Sequence, residues 1–467
     1  MAGKREKGRQ KNRKAGNGLS KGNVKEKGQR THQNGGFQNS LGFVLACVGS
    51  AVGMGNIWLF PYRLGQYGGA AFLIPYLLFI ALFGLTGLSV EFAVGRRAGT
   101  GTLGSYEYCW AARKKGKLGY VLGWIPLMGS LGIAIGYSVI LGWVLKTLGA
   151  SLTGELFVRD TGEFFGEMSS SFGNIPCHGA VVLIACGLLM AGATKGIEKI
   201  NKVLMPAFFG LFVVLAVRVF FLEGALEGYR FLFIPKWEYL LKTDTWVMAM
   251  GQAFFSLSIT GSGMIVYGSY LGRDEDIVGA SVNTAVFDTI AAMLAGLAIM
   301  PAVFAFGIEP ASGPPLMFIT LPQVFAQMPL GRLFAVFFFV SVAFAGITSL
   351  INMFEAVCES WQTRFGMSHK VMAALCGAVA LAVGIFIEDG DKVGAWMDFI
   401  TILVVPFGAL LGAFSIYYIL GWKEISKELS LGRKRPVGQW MGMLGKYVYV
   451  PLAVFVFVLG IVYGGIG

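Results

Sequence analysis

The segment GSAVGMGNIWLFPYR, residues 49–63, decides the fold of this chain, because it lies in a long apolar stretch and yet is poorly suited to a helix. It contains five residues that disfavour a helix interior: Gly49, Gly53, Gly55, Asn56 and Pro61. Hydrocarbon offers no hydrogen-bond partners, so non-helical backbone inside a bilayer must be buried in protein or line a cavity. The segment therefore indicates a broken membrane helix that builds a site.

The composition is that of a polytopic membrane protein. Of the 467 residues 55% are hydrophobic and 14% are charged, whereas a soluble domain has about 25% charged residues. Apolar stretches of about 20 residues, the length that crosses a bilayer, recur along the chain. We therefore expect an all-α fold with eleven transmembrane helices, near residues 41–63, 68–95, 118–148, 178–194, 201–222, 245–271, 277–307, 331–362, 370–387, 394–421 and 446–465.

The basic residues predict the orientation in the membrane, since cytoplasmic loops are enriched in Lys and Arg. Residues 1–36 hold eleven Lys or Arg and two Glu, without the apolar core of a signal peptide. We interpret them as a disordered cytoplasmic tail that sets orientation; binding of anionic lipid or RNA is the alternative. Further basic clusters follow the second, fourth and tenth spans. The N terminus is then inside a bacterial plasma membrane and the C terminus outside.

The motifs of common enzymes are missing from the sequence. There is no P-loop or HExxH motif, and the six cysteines form no CxxC pair. We therefore expect neither an enzyme nor an organic cofactor, and no disulfide framework.

A second apolar segment is interrupted in the same way five helices later. It reads GQAFFSLSITGSGMIVYGSY, residues 251–270, with Ser, Thr and Gly in its middle. Paired interrupted helices in two halves indicate the binding site of a secondary transporter. Close helix packing could explain the glycines alone, but not Asn56, Pro61 and the Ser/Thr run. Freed carbonyl and hydroxyl oxygens suit a small hard cation, and freed amides suit a carboxylate.

Four stretches resemble signature segments of the neurotransmitter:sodium symporter family, particularly its bacterial amino-acid transporters. They are SAVGMGNIWLFPY (50–62), GQAFFSLS (251–258), AFAGITS (343–349) and WMDF (396–399). The resemblance extends from about Phe37 to the end and implies a transporter domain over residues 37–467. Helices 1–5 (about 41–222) and 6–10 (about 245–421) would form a 5+5 inverted repeat of the leucine-transporter fold, followed by helix 11 (about 446–465). The implied function is sodium-coupled symport of an amino acid by alternating access.

The resemblance also implies two sodium sites. The first would use the carbonyl of Ala51 and the side chains of Asn56, Ser256 and Asp288. The second would use the carbonyls of Gly49, Val52 and Ala345 and the hydroxyls of Thr348 and Ser349, and here the match to the family is complete.

Asp288 departs from the family, which usually has Asn at this position. Animal relatives bind chloride near the first sodium, in surroundings that correspond to Tyr76, Gln252 and Ser256. Many bacterial relatives place an acidic residue one turn further along, where this chain has Ala292. We expect the Asp288 carboxylate to supply that negative charge and make transport chloride-independent; the alternative is a carboxyl group kept neutral by burial.

The substrate would bind beside the sodium ions. The implied substrate-binding residues are Ala51, Gly53, Gly55, Ile133, Tyr137, Phe255, Ser256, Ser258, Gly261, Ser349 and Met353. Monoamine transporters have Asp where Gly53 stands, which favours a substrate with its own carboxylate. The family commonly has an aromatic residue or Met at Gly261, so we expect extra volume and a large apolar or aromatic amino acid, unless Thr260 and Ser262 make the pocket more polar.

The gates match the family less well. The family's outer gate pairs an Arg with an Asp; Asp398 is present, but Leu59 occupies the Arg position. Arg63, one helical turn away on the same face, either pairs with Asp398 or is an interfacial cation. Phe37 stands where the family usually has a Trp that plugs the cytoplasmic mouth, and Glu359 is a candidate for the inner gate.

Two further carboxyl groups lie within predicted spans, where burial is costly. We expect Glu91 to brace the first helix and Glu355 to hydrogen-bond in the cytoplasmic pathway. A proton-coupled permease that uses Glu355 or Asp288 is the main rival, although the complete second sodium site argues against it. An ion channel or a sensor is the rival from another class, but a repeated filter or charged ring is not evident.

Overall fold

The computed structural model of the chain describes residues 40–307 and 315–465, and within these ranges the regular structure is helical. The helices are α1 (Ser40–Ala51), α2 (Gly55–Gln66), α3 (Ala70–Ala98), α4 (Thr102–Ala111), α5 (Gly116–Thr153), α6 (Thr161–Met168), α7 (Ile175–Met190), α8 (Ala193–Phe220), α9 (Ala225–Phe233), α10 (Thr243–Ser256), α11 (Gly263–Ser269), α12 (Ile277–Ala305), α13 (Leu316–Gln327), α14 (Gly331–Phe365), α15 (His369–Phe386), α16 (Gly390–Leu429) and α17 (Gln439–Tyr463). The predicted all-α polytopic fold is confirmed.

Each of the eleven predicted spans coincides with one of these helices or with a pair of them. In the described ranges, eight helices are long and apolar enough to cross a membrane, namely α3, α5, α8, α12, α14, α15, α16 and α17. The pair α1–α2, bent by 58° at its break, makes a ninth candidate. The other two predicted spans are the 16-residue helix α7 and the interrupted pair α10–α11. The count of eleven therefore stays a prediction.

The burial of the helices shows which of them form the centre of the molecule. In α5 94% of the most apolar window is buried inside the protein, and in α14 72%. In α8 the share is 28%, although its hydropathy is equally high. A helix that is apolar all round but little buried in protein is suited to face lipid. The central helices α5 and α14 therefore carry side chains to the site, while α8, α15 and α17 present large outward faces.

Short helices lie between the spans. They are not predicted from the sequence, because only apolar stretches long enough to cross a bilayer give a clear signal there. Helices α4, α6, α9 and α13 have 8 to 12 residues. Helix α9 packs tightly on α12, since a Cβ at Gly228 would lie 2.4 Å from Pro301 Cα.

An almost fully buried ion pair joins the end of α3 to the end of α16. Arg96 Nε lies 2.7 Å from Glu428 Oε1, and the two side chains are 2% and 6% exposed. The remaining guanidinium nitrogens donate to the carbonyls of Gly272 (3.1 Å), Glu275 (2.7 Å) and Glu428 (2.6 Å). Arg96 therefore fastens the segment after α11 to both helices.

Replacement of Arg96 by Met should destabilise the protein by about 3–5 kcal/mol, because the Glu428 carboxylate would be left buried without its partner. The matched control is Arg97→Met: Arg97 is 43% exposed and lies 3.8 Å from Glu424, so its loss should cost less than about 1 kcal/mol. Thermal unfolding of the two purified variants in detergent measures the difference. Equal melting temperatures would contradict the role assigned to this ion pair.

Candidate functional site

The break between α1 and α2 is stabilised by side chains that replace the missing helical partners. The amide of Gly53 donates to Asn56 Oδ1 (3.2 Å), and the amide of Met54 donates to the hydroxyl of Tyr137 on α5 (3.0 Å). Helix α2 then begins with a π-helical turn at Gly55. A bulky residue at position 53 would not fit, because a Cβ there would lie 2.7 Å from the Tyr137 hydroxyl.

The break between α10 and α11 is held by a carboxyl group from α3. Ser258 and Gly261 adopt positive φ angles of 52° and 73°. The amide of Gly261 donates to Glu91 Oε1 (2.8 Å), and Ser262 shares a hydrogen bond with Thr102 (2.9 Å). The prediction that Glu91 braces the first helix is therefore wrong: its partner is the amide freed by the second break.

The two breaks meet at a cavity near the middle of the molecule. Ser258 Oγ donates to the carbonyl of Ser50 (3.2 Å), and Gln252 Nε2 donates to the carbonyl of Gly55 (3.3 Å). The freed backbone groups of both interrupted segments thus lie around one space, as their sequences predict.

The side chains predicted for the first sodium site lie together. Asn56 Nδ2 lies 2.7 Å from Asp288 Oδ1 and 3.3 Å from Ser256 Oγ, and Ser256 Oγ donates to Asp288 Oδ2 (2.7 Å). All three side chains are fully buried. The buried hydroxyl of Tyr76 lies beside Asp288 and Ser256. We call Asn56, Ser256 and Asp288 the carboxylate cluster.

The groups predicted for the second sodium site also converge. Ser349 Oγ lies 3.2 Å from the carbonyl oxygen of Gly49 and 3.1 Å from that of Val52. Thr348 donates within α14 to the carbonyl of Ala345 (2.9 Å), and its Cβ would lie 3.3 Å from a Cβ built on Gly49. We call these five residues the carbonyl cluster. Its five oxygens are neutral, hard donors of the kind that bind alkali and alkaline-earth cations.

The cavity contains all but one of the residues predicted to bind substrate. Its lining includes Ala51, Gly53, Gly55, Ile133, Tyr137, Phe255, Ser256, Ser258, Ser349 and Met353. Gly261 lies outside the lining, and a Cβ there would meet the carbonyl oxygen of Gly408 at 2.5 Å. The extra volume predicted from Gly261 is therefore not in the cavity; this glycine serves the backbone turn and close packing instead.

Four polar residues that are not predicted from the sequence also line the cavity, namely Ser50, Ser130, Asn352 and Thr401. Asn352 is 2% exposed, and neither atom of its amide has a hydrogen-bond partner among the described residues. Its position could have been found from its spacing, since it follows Thr348 by four residues and lies on the same face of α14. Asn352 offers the cavity a donor and an acceptor.

The predicted outer gate is not formed in this structure. Arg63 is 7% exposed and donates to the sulfur of Met248, whereas the Asp398 side chain is exposed. Among the described residues no ion pair joins the two, so Arg63 is neither the partner of Asp398 nor an interfacial cation. The predicted plug, Phe37, lies outside the described residues.

The carboxyl groups near the ends of α11 and α14 are engaged in hydrogen bonds. Glu355 accepts from the hydroxyl of Tyr270 and lies 2.7 Å from His369 Nε2. Glu359 accepts from Thr363 (3.1 Å). This arrangement agrees with the hydrogen-bonding role expected of Glu355.

Known proteins match the chain over most of its length. The model of the sodium:neurotransmitter symporter family matches residues 34–169 and 167–464. YhdH of Bacillus subtilis, an uncharacterized sodium-dependent transporter, is 34% identical over 445 residues, which cover 91% of this chain and 97% of its own. An uncharacterized sodium-dependent transporter of Methanocaldococcus jannaschii is 29% identical over 440 residues, which cover 88% and 87% of the two chains.

A solved structure matches as well. The crystal structure of MhsT in complex with L-phenylalanine has a TM-score of 0.81 to this chain at 33% identity, and the match covers 91% of this chain and 99% of that one. The predicted family resemblance and helical membrane architecture are confirmed by these matches.

Substitution of Gly261 by Ala should reduce stability by about 2–4 kcal/mol, because the residue has a positive φ and its Cβ would collide with backbone. Gly263→Ala is the matched control two residues away, since a Cβ there meets nothing within 4 Å. Thermal unfolding in potassium without amino acids isolates stability from ligand binding. A Gly261→Ala variant as stable as the control would show that the break is not fixed at this residue.

Proposed function

We propose that this chain, which belongs to the sodium:neurotransmitter symporter family, couples sodium to the uptake of large apolar or aromatic amino acids without chloride. Family membership makes it a sodium-coupled membrane transporter of many helices and not an enzyme. The observation that carries the proposal is the meeting of two helix breaks at one cavity, with an oxygen cluster at each sodium position. We further propose that the N terminus is cytoplasmic, in a bacterial plasma membrane.

Two sodium ions would bind, one at each cluster. The hydroxyls of Ser256 and Ser349 donate to oxygens that would hold the ions. A bound ion would replace those hydrogen bonds, and the hydroxyl hydrogens would turn away so that the lone pairs face the ion. The ion at the carbonyl cluster would join α14 to the first break, and the ion at the carboxylate cluster would join α12 to it. Both links would favour closure of the two halves of the protein over the substrate.

An α-amino acid fits the groups that face the cavity. In the proposed complex the Gly55 amide and the Tyr137 hydroxyl would donate to the carboxylate, and the Ser258 hydroxyl would accept from the ammonium group. Ile133, Phe255 and Met353 supply apolar lining for the side chain. The complex of MhsT with L-phenylalanine supports a substrate with a large aromatic side chain. Because sodium and substrate share the site, each should raise the affinity for the other.

Chloride would be unnecessary because Asp288 brings a fixed negative charge to the carboxylate cluster. The charge lies among fully buried side chains, where an anion is costly unless a cation accompanies it. The carboxylate would therefore bind sodium more strongly than a neutral Asn, and no mobile anion would be required to balance the ion.

Purified protein should be stabilised by one or a few large apolar or aromatic amino acids in sodium and not in potassium. Ligand stabilisation grows with the ratio of ligand concentration to dissociation constant, so a thermal unfolding screen of the twenty amino acids identifies substrates directly. Equal shifts in both salts that grow at low pH would instead favour the proton-coupled alternative. A complete lack of shifts would contradict amino-acid transport.

Uptake into proteoliposomes should be unchanged when gluconate replaces chloride, whereas Asp288→Asn should lose most uptake in gluconate and regain it in chloride. Asn is the usual residue of the family at this position, so the variant should fold. Asp391→Asn, an exposed acidic residue outside the cavity, is the matched control and should behave like the wild type. Loss of wild-type uptake in gluconate would contradict chloride independence.

A further inference from the structure

Asn201 on α8 brings an oxygen without a hydrogen-bond partner among the described residues against Gly49, one of the five residues of the carbonyl cluster. Its side chain is 1% exposed, and Oδ1 has no hydrogen-bond partner among the described residues. A Cβ built on Gly49 would lie 1.7 Å from Asn201 Oδ1 and 3.3 Å from Thr348 Cβ. The oxygen therefore faces the same point of α1 that Thr348 approaches from α14.

The orientation of this amide is fixed by its other end. Asn201 Nδ2 donates to the carbonyl of Ile197 (2.9 Å). If the two ends of the amide were exchanged, Oδ1 would face that carbonyl oxygen, and two acceptors would repel each other. The carbonyl end of Asn201 must therefore be the end that faces Gly49.

A buried acceptor without a partner loses its hydration and gains nothing in return, so it calls for an explanation. Packing alone does not require it, because an apolar side chain of similar shape would fill the space without that cost. The place of Asn201 Oδ1 also restricts the sequence of α1, since only glycine at position 49 leaves room for this oxygen. A cation at the adjacent oxygens would give Oδ1 a favourable partner.

We propose that Asn201 is a further sodium-binding residue, whose Oδ1 adds a sixth oxygen dipole to the five of the carbonyl cluster. The inference rests on the proposed sodium-coupled function and deepens it, since it assigns to α8 a direct part in ion binding. Helix α8 is largely unburied in protein, so Asn201 would make the occupancy of the cluster sensitive to the position of an outer helix.

The test is the sodium concentration that gives half-maximal stabilisation of purified full-length protein at a fixed concentration of an amino acid identified in the screen. Asn201→Leu keeps the size and removes the oxygen, so this concentration should rise at least about threefold, as expected for the loss of one dipole. Asn201→Asp keeps the shape and adds a charge, so the concentration should fall. Asn174→Leu, at an equally buried Asn outside the carbonyl cluster, should leave it unchanged.

A double-mutant comparison separates ion binding from a purely structural role. The effect of Asn201→Leu should largely disappear in a Thr348→Ala background and persist in a Ser256→Ala background, because Thr348 belongs to the carbonyl cluster and Ser256 only to the carboxylate cluster. Unchanged sodium dependence in both Asn201 variants, or equal weakening by Leu and Asp, would overturn the inference. A wild-type protein stabilised equally in sodium and potassium would overturn the proposed function itself, so the two failures are distinguishable.

Discussion

The requirement that every backbone amide and carbonyl inside a membrane has a partner governs this structure. An ordinary spanning helix meets it within itself, but α1–α2 and α10–α11 do not, and other helices supply what they lack. Tyr137 accepts from the first break and Glu91 from the second. Central helices are thus tied to the breaks by hydrogen bonds rather than by apolar packing alone. The site and the fold depend on the same contacts, because the groups that expose ligands also hold the helices in place.

The oxygen clusters extend this principle to the proposed ions. Ser349 donates to the carbonyls of Gly49 and Val52, so these freed carbonyls of the first break have a protein partner. Sodium would have to displace these hydrogen bonds. The net free energy of sodium binding would then be the difference between the ion–oxygen contacts formed and the hydrogen bonds lost. Such a balance suits a carrier, since an ion held too tightly would never leave. Under the proposed chloride-independent mechanism the carboxylate cluster would differ, because an ionised Asp288 would add a full charge and strengthen the binding of sodium there.

The sequence was sufficient for the helical membrane architecture, the two breaks and most of the cavity lining, since these depend on local composition and on a family pattern. It was insufficient wherever a contact depends on how distant helices pack. Glu91 was assigned to the wrong break because nothing local distinguishes one freed amide from another. Gly261 was assigned to the cavity because a missing side chain indicates space but not its location. Asn201 and Asn352 were overlooked because a single amide in a span gives no indication of what it faces.

The positions of the glycines follow from the same geometry. Gly49 and Gly53 are next to the cavity and the clusters, but their role is to let polar atoms from other helices approach: Asn201 Oδ1 at position 49, and the hydroxyls of Tyr137 and Ser349 at position 53. A side chain at either position would push those atoms away from the first break. The glycines that weaken the helix in GSAVGMGNIWLFPYR are therefore also what allows α5, α8 and α14 to reach it. One local feature of the sequence both frees the backbone ligands and admits the side chains that complete the site.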